Sequence, residues 1–213
     1  TLLLTLLAIV VAGPLGIFAA IYMVEYAKKG NKIVGLVRVT AETLSGIPSI
    51  VYGLFGMLFF CTALHMGYSL ISGALTVAIM VLPTIMRTSE EALLAVPRSY
   101  REGSFGLGAG KLRTVFRAVL PSAVPGILSG VILSIGRIVG ETAALIYTSG
   151  TIAQVAGNVL NSGRTLAVHM YALSQEGFHT NEAYATAVIL LAVVLLINGV
   201  SSLIAKRFEA PEQ

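Results

Sequence analysis

The chain has 213 residues, 56% of them hydrophobic and only 11% charged, with a mean hydropathy of +0.87. Soluble domains carry about 25% charged residues, so a water-exposed surface of normal polarity cannot be built here and the bilayer must replace water around most of the exterior. The net charge of +4 is the basic bias of cytoplasmic loops and not a nucleic-acid footprint, all ten acidic residues are Glu, which removes Asp-based catalysis, and the lone Cys61 allows neither an intrachain disulfide nor a thiolate metal site.

The first predicted span is Leu2–Tyr26, closed by Glu25, Lys28 and Lys29, with Gly13-Pro14 placed to kink it. No basic n-region or small-residue cleavage site precedes Gly13. The chain opens on Thr1 inside an apolar run, which reads either as a fragment or as a product that has lost something upstream. A polar stretch, 28–40, leads to a second span over 44–64, entered through Gly46-Ile-Pro-Ser49. A third covers 70–86 and stops at Arg87. A polar, glycine-rich loop, 88–119, precedes a fourth span over 121–148. A long polar segment, 149–183, precedes the fifth, 184–205. Within that segment 166–173 is apolar but far too short to span, which fits either a re-entrant or interfacial helix or an ordinary packed loop.

Charge placement orients these spans. Twelve of the fourteen basic residues fall after span one, after span three or after span five, and only Arg164 lies on the opposite side. The positive-inside rule puts loop 88–119 and the C-terminus in the cytoplasm.

The loop has its own local pattern. Thr88-Ser-Glu-Glu91 and Ser99-Tyr-Arg-Glu102 both fit the capping box that opens a helix, and Pro97 suits a corner. A short helix from Ser99 should end in Gly106-Leu-Gly108-Ala-Gly110, where glycine permits a left-handed turn. Leu112, Val115, Phe116 and Val119 then recur at helical spacing, with Lys111, Arg113 and Arg117 off that face. This is an amphipathic helix suited to the membrane interface. No P-loop is present: Gly110-Lys111 is followed by Leu112, and Phe105 stands where the first glycine would be.

Arg137 and Glu141 sit four apart inside the fourth span, within Gly136-Arg-Ile-Val-Gly-Glu-Thr142. An Arg or Asp at a span's centre costs about 2.5–3.5 kcal/mol, so the shared face should point inward, with Gly136 and Gly140 allowing close helix approach. Two compatible readings stand: a buried salt bridge that fixes packing, or an anion path in which Arg137 meets an oxyanion and Glu141 orients it. His65, His169 and His179 have no metal-ligand spacing and read as surface or packing residues. Asn198 reads as an interhelical hydrogen-bonding residue.

The residues Glu102-Gly-Ser-Phe-Gly-Leu-Gly108, nine more, then Ala118-Val-Leu-Pro121 resemble the EAA motif of ABC-importer permeases. Gly103 replaces the usual first Ala and Ala118 the usual Ile. The resemblance widens with Gly13-Pro-Leu-Gly-Ile-Phe-Ala-Ala-Ile-Tyr22, Glu25-Tyr-Ala27, Gly46-Ile-Pro-Ser-Ile-Val-Tyr-Gly53, Val81-Leu-Pro-Thr84 and the Arg137 segment. Across nearly the whole chain it looks like the PstA-type permease of phosphate-specific ABC importers. That resemblance implies an all-α, polytopic helical bundle of the type I importer fold, a single domain over 1–213 with coupling loop 88–119. The family's permeases have six spans, so the first is expected to be missing here.

The resemblance further implies that Arg101, Glu102, Gly103, Ser104, Gly108, Leu120 and Pro121 couple to an ATPase subunit, with Arg137 and Glu141 on the substrate pathway. Expected partners are a homologous PstC-type permease, a PstB-type ATPase dimer that binds ATP and Mg, an extracytoplasmic phosphate-binding protein and phosphate itself. No cofactor or metal is expected on this chain, and the chain is expected to translocate and not to catalyse. The implied location is a bacterial or archaeal cytoplasmic membrane. Another oxyanion, such as molybdate or sulfate, and an ATP-independent transporter or channel are the alternatives.

Overall fold

A computed structural model describes residues 1–28, 30–177 and 179–208; Lys29, one of the basic residues used to orient the chain, lies outside the described residues. All regular structure among them is helical. Four helices are long and apolar enough to cross a bilayer: Leu2–Tyr26, Leu70–Ala95, Lys111–Gly140 and Thr180–Leu203. A bent pair, Lys32–Ser45 with Ser49–Ala63, supplies a fifth crossing if counted as one span.

Helix α1 (Leu2–Ile21) runs through Pro14 and widens into a π-helical turn, Tyr22–Tyr26. The stretch expected to be polar loop is instead α2 (Lys32–Ser45), opened by Asn31, whose side chain accepts from the Ile33 N–H. The second span, expected as one stretch over 44–64, is therefore interrupted by a bend. α2 turns through 104° at Gly46-Ile-Pro48 into α3 (Ser49–Gly56), which continues as a π-helical segment, Met57–Ala63. Pro48 brings no N–H for a continuing helix and disfavours helical torsions at Ile47, which explains the break.

The third span, α4 (Leu70–Ala95), passes Arg87 by two more turns. Thr88-Ser-Glu-Glu91 therefore lies inside a helix and does not start one. The Thr88 hydroxyl is already committed to the Thr84 and Ile85 carbonyls. Short helix α5 (Arg98–Gly106) follows, then α6 (Lys111–Thr114), a π-helical turn (Val115–Val119) and α7 (Leu120–Gly140), which together make one continuous rod. The amphipathic stretch expected at the interface is thus the base of the fourth span. That span ends at Gly140 rather than at 148, and α8 (Ala143–Ile146) is a separate turn. The apolar run near 166 is helix α9 (Leu166–Glu176), capped by Thr165 and ended by left-handed Gly177. α10 (Thr180–Phe208) completes the bundle.

α4 is the axis of the molecule. α1 lies parallel to it: Leu4 meets Gly73 at one end and Gly16 abuts Ile85 and Met86 further along. α7 lies antiparallel, and here the packing is set by small residues. A Cβ added to Gly126 would stand 2.7 Å from Ala92 Cβ, and one on Gly130 1.8 Å from Thr88 Oγ1. This is a small-x-x-x-small crossing on both helices, the contact expected where lipid removes any hydrophobic drive for helices to associate. It replaces the crossing expected at Gly136 and Gly140: among the described residues nothing lies within 4 Å of a Cβ placed on Gly140, and Asn198 of α10 alone comes near Gly136.

Leu4, Ala8 and Ala12 of α1 share a core with Val77, Val81 and Ile85 of α4. A second core at the other end joins Ala20, Ile21, Leu93, Val96, Val115, Val119, Ala123 and Ile127. Much of α10 faces outward, with Val188, Leu191, Leu195 and Leu196 exposed, as lipid or protein contact in a membrane requires.

Candidate coupling hairpin and polar centres

α5 buries none of its residues. Val96 and Pro97 are extended and turn the chain out of α4. The helix begins at Arg98, and no side chain caps it, so the capping box expected at Ser99–Glu102 does not form. The glycine turn does form. Gly108 has φ +81°, its N–H donates to the Phe105 carbonyl at 2.9 Å, and Ala109 N–H donates to the Ser104 carbonyl at 3.1 Å. A β-carbon would oppose that torsion. The Ser104 and Thr114 hydroxyls, 2.8 Å apart, close the hairpin.

Its outer surface carries Tyr100, Phe105 and Leu107, the last 92% exposed, beside a cleft of about 540 Å³ that includes Gly103, Arg113 and Arg117. On the returning limb Val115 and Val119 enter the core while Leu112 and Phe116 stay exposed. Only half of the predicted apolar face is therefore buried. Leu120 is half-buried and Pro121 sits in the first turn of α7, straight after the π-helical turn.

Arg101 points away from the exposed surface. Its Nε and Nη2 both donate to Glu25 Oε1, at 3.0 and 2.6 Å, Nη1 donates to the Val96 carbonyl at 2.8 Å, and Nη2 to the Leu93 carbonyl at 2.9 Å. The other limb reaches the neighbouring residue, with Lys111 Nζ 5.1 Å from the centre of the Tyr26 ring. Glu102, Gly103 and Gly108 thus belong to the projecting part of the hairpin, and Arg101 to its root.

Arg137 and Glu141 do not share a helix face. α7 stops at Gly140, and Glu141 takes extended torsions (φ −70°, ψ 129°) that swing its side chain forward. Its buried carboxylate accepts from the Ala144 N–H at 3.1 Å, at the start of α8. Arg137 makes no ion pair or hydrogen bond with a described residue and is exposed on α7. Continuing the antiparallel pairing of Gly126 with Ala92 and Gly130 with Thr88 brings Arg137 level with Val81, about halfway along α4. Among the described residues the packing salt bridge is therefore absent, and the guanidinium stands about halfway along the span with no carboxylate partner. Asn198 of α10 approaches the neighbouring Gly136 but makes no hydrogen bond with a described residue.

A third polar centre escaped sequence reasoning. Arg38 of α2 pairs with Glu90 of α4, and Glu42, Arg87 and Glu91 join them around a cleft of about 270 Å³. Glu90 is only 9% exposed. The two pair members lie fifty-two residues apart, in stretches that read as a polar loop and a capping box. An amphipathic reading of 32–45 is the signal that would have pointed to them.

Residues 12–210 match the family described as binding-protein-dependent transport system inner membrane component. The chain belongs to that family. Among curated relatives, this inner-membrane component is 36% identical over 201 residues to the probable ABC transporter permease protein YqgI of Bacillus subtilis, covering 87% of this chain and 68% of the relative. It is 34% identical over 206 residues to the phosphate transport system permease protein PstA 1 of Mycobacterium tuberculosis, covering 95% and 66%. The chain thus spans about two thirds of the length of these relatives. Its fold superposes on a chain of the inward-facing MetNI methionine ABC transporter with a TM-score of 0.78 at 20% identity, covering 98% of this chain and 91% of the other. A chain of an amino acid ABC transporter crystallised with histidines gives 0.66 at 18% identity, covering 96% and 88%. The type I importer permease architecture anticipated from the loop motif is therefore the fold this inner-membrane component adopts, in a multi-pass inner-membrane protein.

Proposed function

We propose that this chain is the phosphate-translocating permease subunit of an ATP-driven importer. It is a translocation component, and the ATP and Mg belong to a separate subunit. The observation that carries the reading is the hairpin at 96–119: an exposed helix, a left-handed glycine turn and a return limb continuous with a membrane span. Such an element can receive a push from a docked subunit and pass it along α7. Tyr100, Phe105 and Leu107 offer that subunit an apolar surface, and Arg113 and Arg117 flank it.

The substrate class follows from relatives named for phosphate transport and from the chemistry of the polar centres. The partners are then a PstC-type second permease, a PstB-type ATPase dimer and an extracytoplasmic phosphate-binding protein. In this reading the hairpin and the C-terminus face the cytoplasm. Phosphate passes Arg137, whose planar donors suit an oxyanion. Because Glu141 is committed to Ala144, the guanidinium is held by no carboxylate of its own and can meet the anion directly.

The test is uptake of labelled phosphate by vesicles containing the complete complex, with ATP inside and molybdate or sulfate as competitors. ATP-dependent uptake that only phosphate competes away is expected. Uptake that persists without a co-purifying ATPase, or that molybdate or sulfate suppresses first, would overturn the proposal. Arg137→Ala should abolish uptake at unchanged abundance; normal uptake by that variant would remove Arg137 from the path.

A further inference from the structure

The root of the hairpin holds the end of the first span in a way its exposed surface does not explain. We infer that Glu25 is a positioning residue of the transport cycle, the link through which displacement of the hairpin is passed to α1 together with α4. This rests on the reading of α5 as the element that docks the ATPase.

One guanidinium makes the connection. Arg101 is the fourth residue of α5, yet its bonds go to Glu25 at the end of the first span and to the Leu93 and Val96 carbonyls at the end of α4. The last carbonyls of a helix have no helical donor and carry its negative pole, so they are natural acceptors for a cation arriving from outside. The arrangement is sheltered: the side chains of Arg101 and Glu25 are 19% and 9% exposed. Glu25 lies in the π-helical turn Tyr22–Tyr26, an irregularity often found at functional positions.

The next residue, Tyr26, lies beneath Lys111 of the other limb. Both limbs of the hairpin therefore hold one dipeptide. The surrounding contacts are between apolar side chains such as Ala20, Ile21, Val115 and Val119, which are non-directional and can slide. Charge-assisted bonds are directional and resist sliding. With the clamp in place, α1 and α4 move as one body when the hairpin moves. Without it, the hairpin still presents Tyr100, Phe105 and Leu107 to its partner, but its displacement is taken up locally.

The experiment compares transport with ATP consumption in the reconstituted complete complex. Glu25→Gln should assemble and hydrolyse ATP, while phosphate moved per ATP falls about tenfold, the loss expected when a hydrogen bond to a charged group is weakened. A merely structural bond would lower thermal stability and yield of the complex without changing that ratio. An unchanged ratio in Glu25→Gln overturns the inference and leaves the importer reading intact, whereas uptake independent of any ATPase sinks the importer reading itself. Should Glu25→Gln fail to assemble, Tyr26→Leu removes the Lys111 contact while leaving the Glu25–Arg101 bonds in place. A fall of about threefold in phosphate per ATP would support the clamp, and an unchanged ratio would overturn it.

Discussion

Glu141 stands where α7 stops, and its torsions take the side chain off the face that Arg137 occupies. Two charges four residues apart would pair on an unbroken helix; a single extended residue prevents it and gives the carboxylate an N–H of α8 instead. The consequence is measurable. Glu141→Ala removes an acceptor at a buried helix start and should destabilise the chain by about 1 kcal/mol, as loss of a cap does, whereas Glu141→Gln keeps an oxygen there and should cost less. Thermal unfolding in detergent separates the two. Equal losses would mean that the carboxylate acts through its charge and not as a cap. The residue types at 137 and 141 were legible in the sequence, but their relationship was not, because it depends on where a helix ends.

Among elements, the α4–α7 crossing decides most. Gly126 and Gly130 let the two backbones approach, and Thr88 and Ala92 present the matching small surface. Gly130→Ala would place a methyl group within 1.8 Å of Thr88 Oγ1, and overpacking of this kind costs about 1–3 kcal/mol. Membrane abundance and unfolding temperature should both fall. Gly140→Ala, with nothing within 4 Å, should leave both unchanged. If the two substitutions behave alike, the crossing is not what the glycines serve. A glycine pair four apart is visible in the sequence at both places. Which pair meets a neighbour depends on the rotation of α7 about its own axis, and that is fixed by Val115, Val119, Ala123 and Ile127 entering the core.

At the scale of the molecule the proposed orientation makes a prediction of its own. Leu107 at the hairpin tip is 92% exposed and Val155 in the long loop before α9 is 98% exposed. In a Cys61→Ala background, Val155→Cys should react in intact cells with a membrane-impermeant maleimide. Leu107→Cys should stay silent there and react in inside-out vesicles washed free of peripheral subunits. The reverse pattern would invert the topology and remove the hairpin from the side where ATP is found.

Composition and local pattern suffice to make the chain a membrane bundle, to place its spans roughly, and to project a glycine-turn hairpin between the third and fourth. Each of these depends on composition or local torsional preference: lipid tolerates few charges, and Gly108 accepts a positive φ that other residues resist. Helix packing settles the rest: α2 bends away from α3, α4 outlasts its charged residues, and Arg137 has no partner among the described residues while Arg101 and Arg38 are paired. Those outcomes turn on partners far apart in the chain: Glu25 is seventy-six residues from Arg101, and Glu90 fifty-two from Arg38. A charge in an apolar sequence announces that it needs a partner or a purpose, but the partner is chosen only when the helices pack.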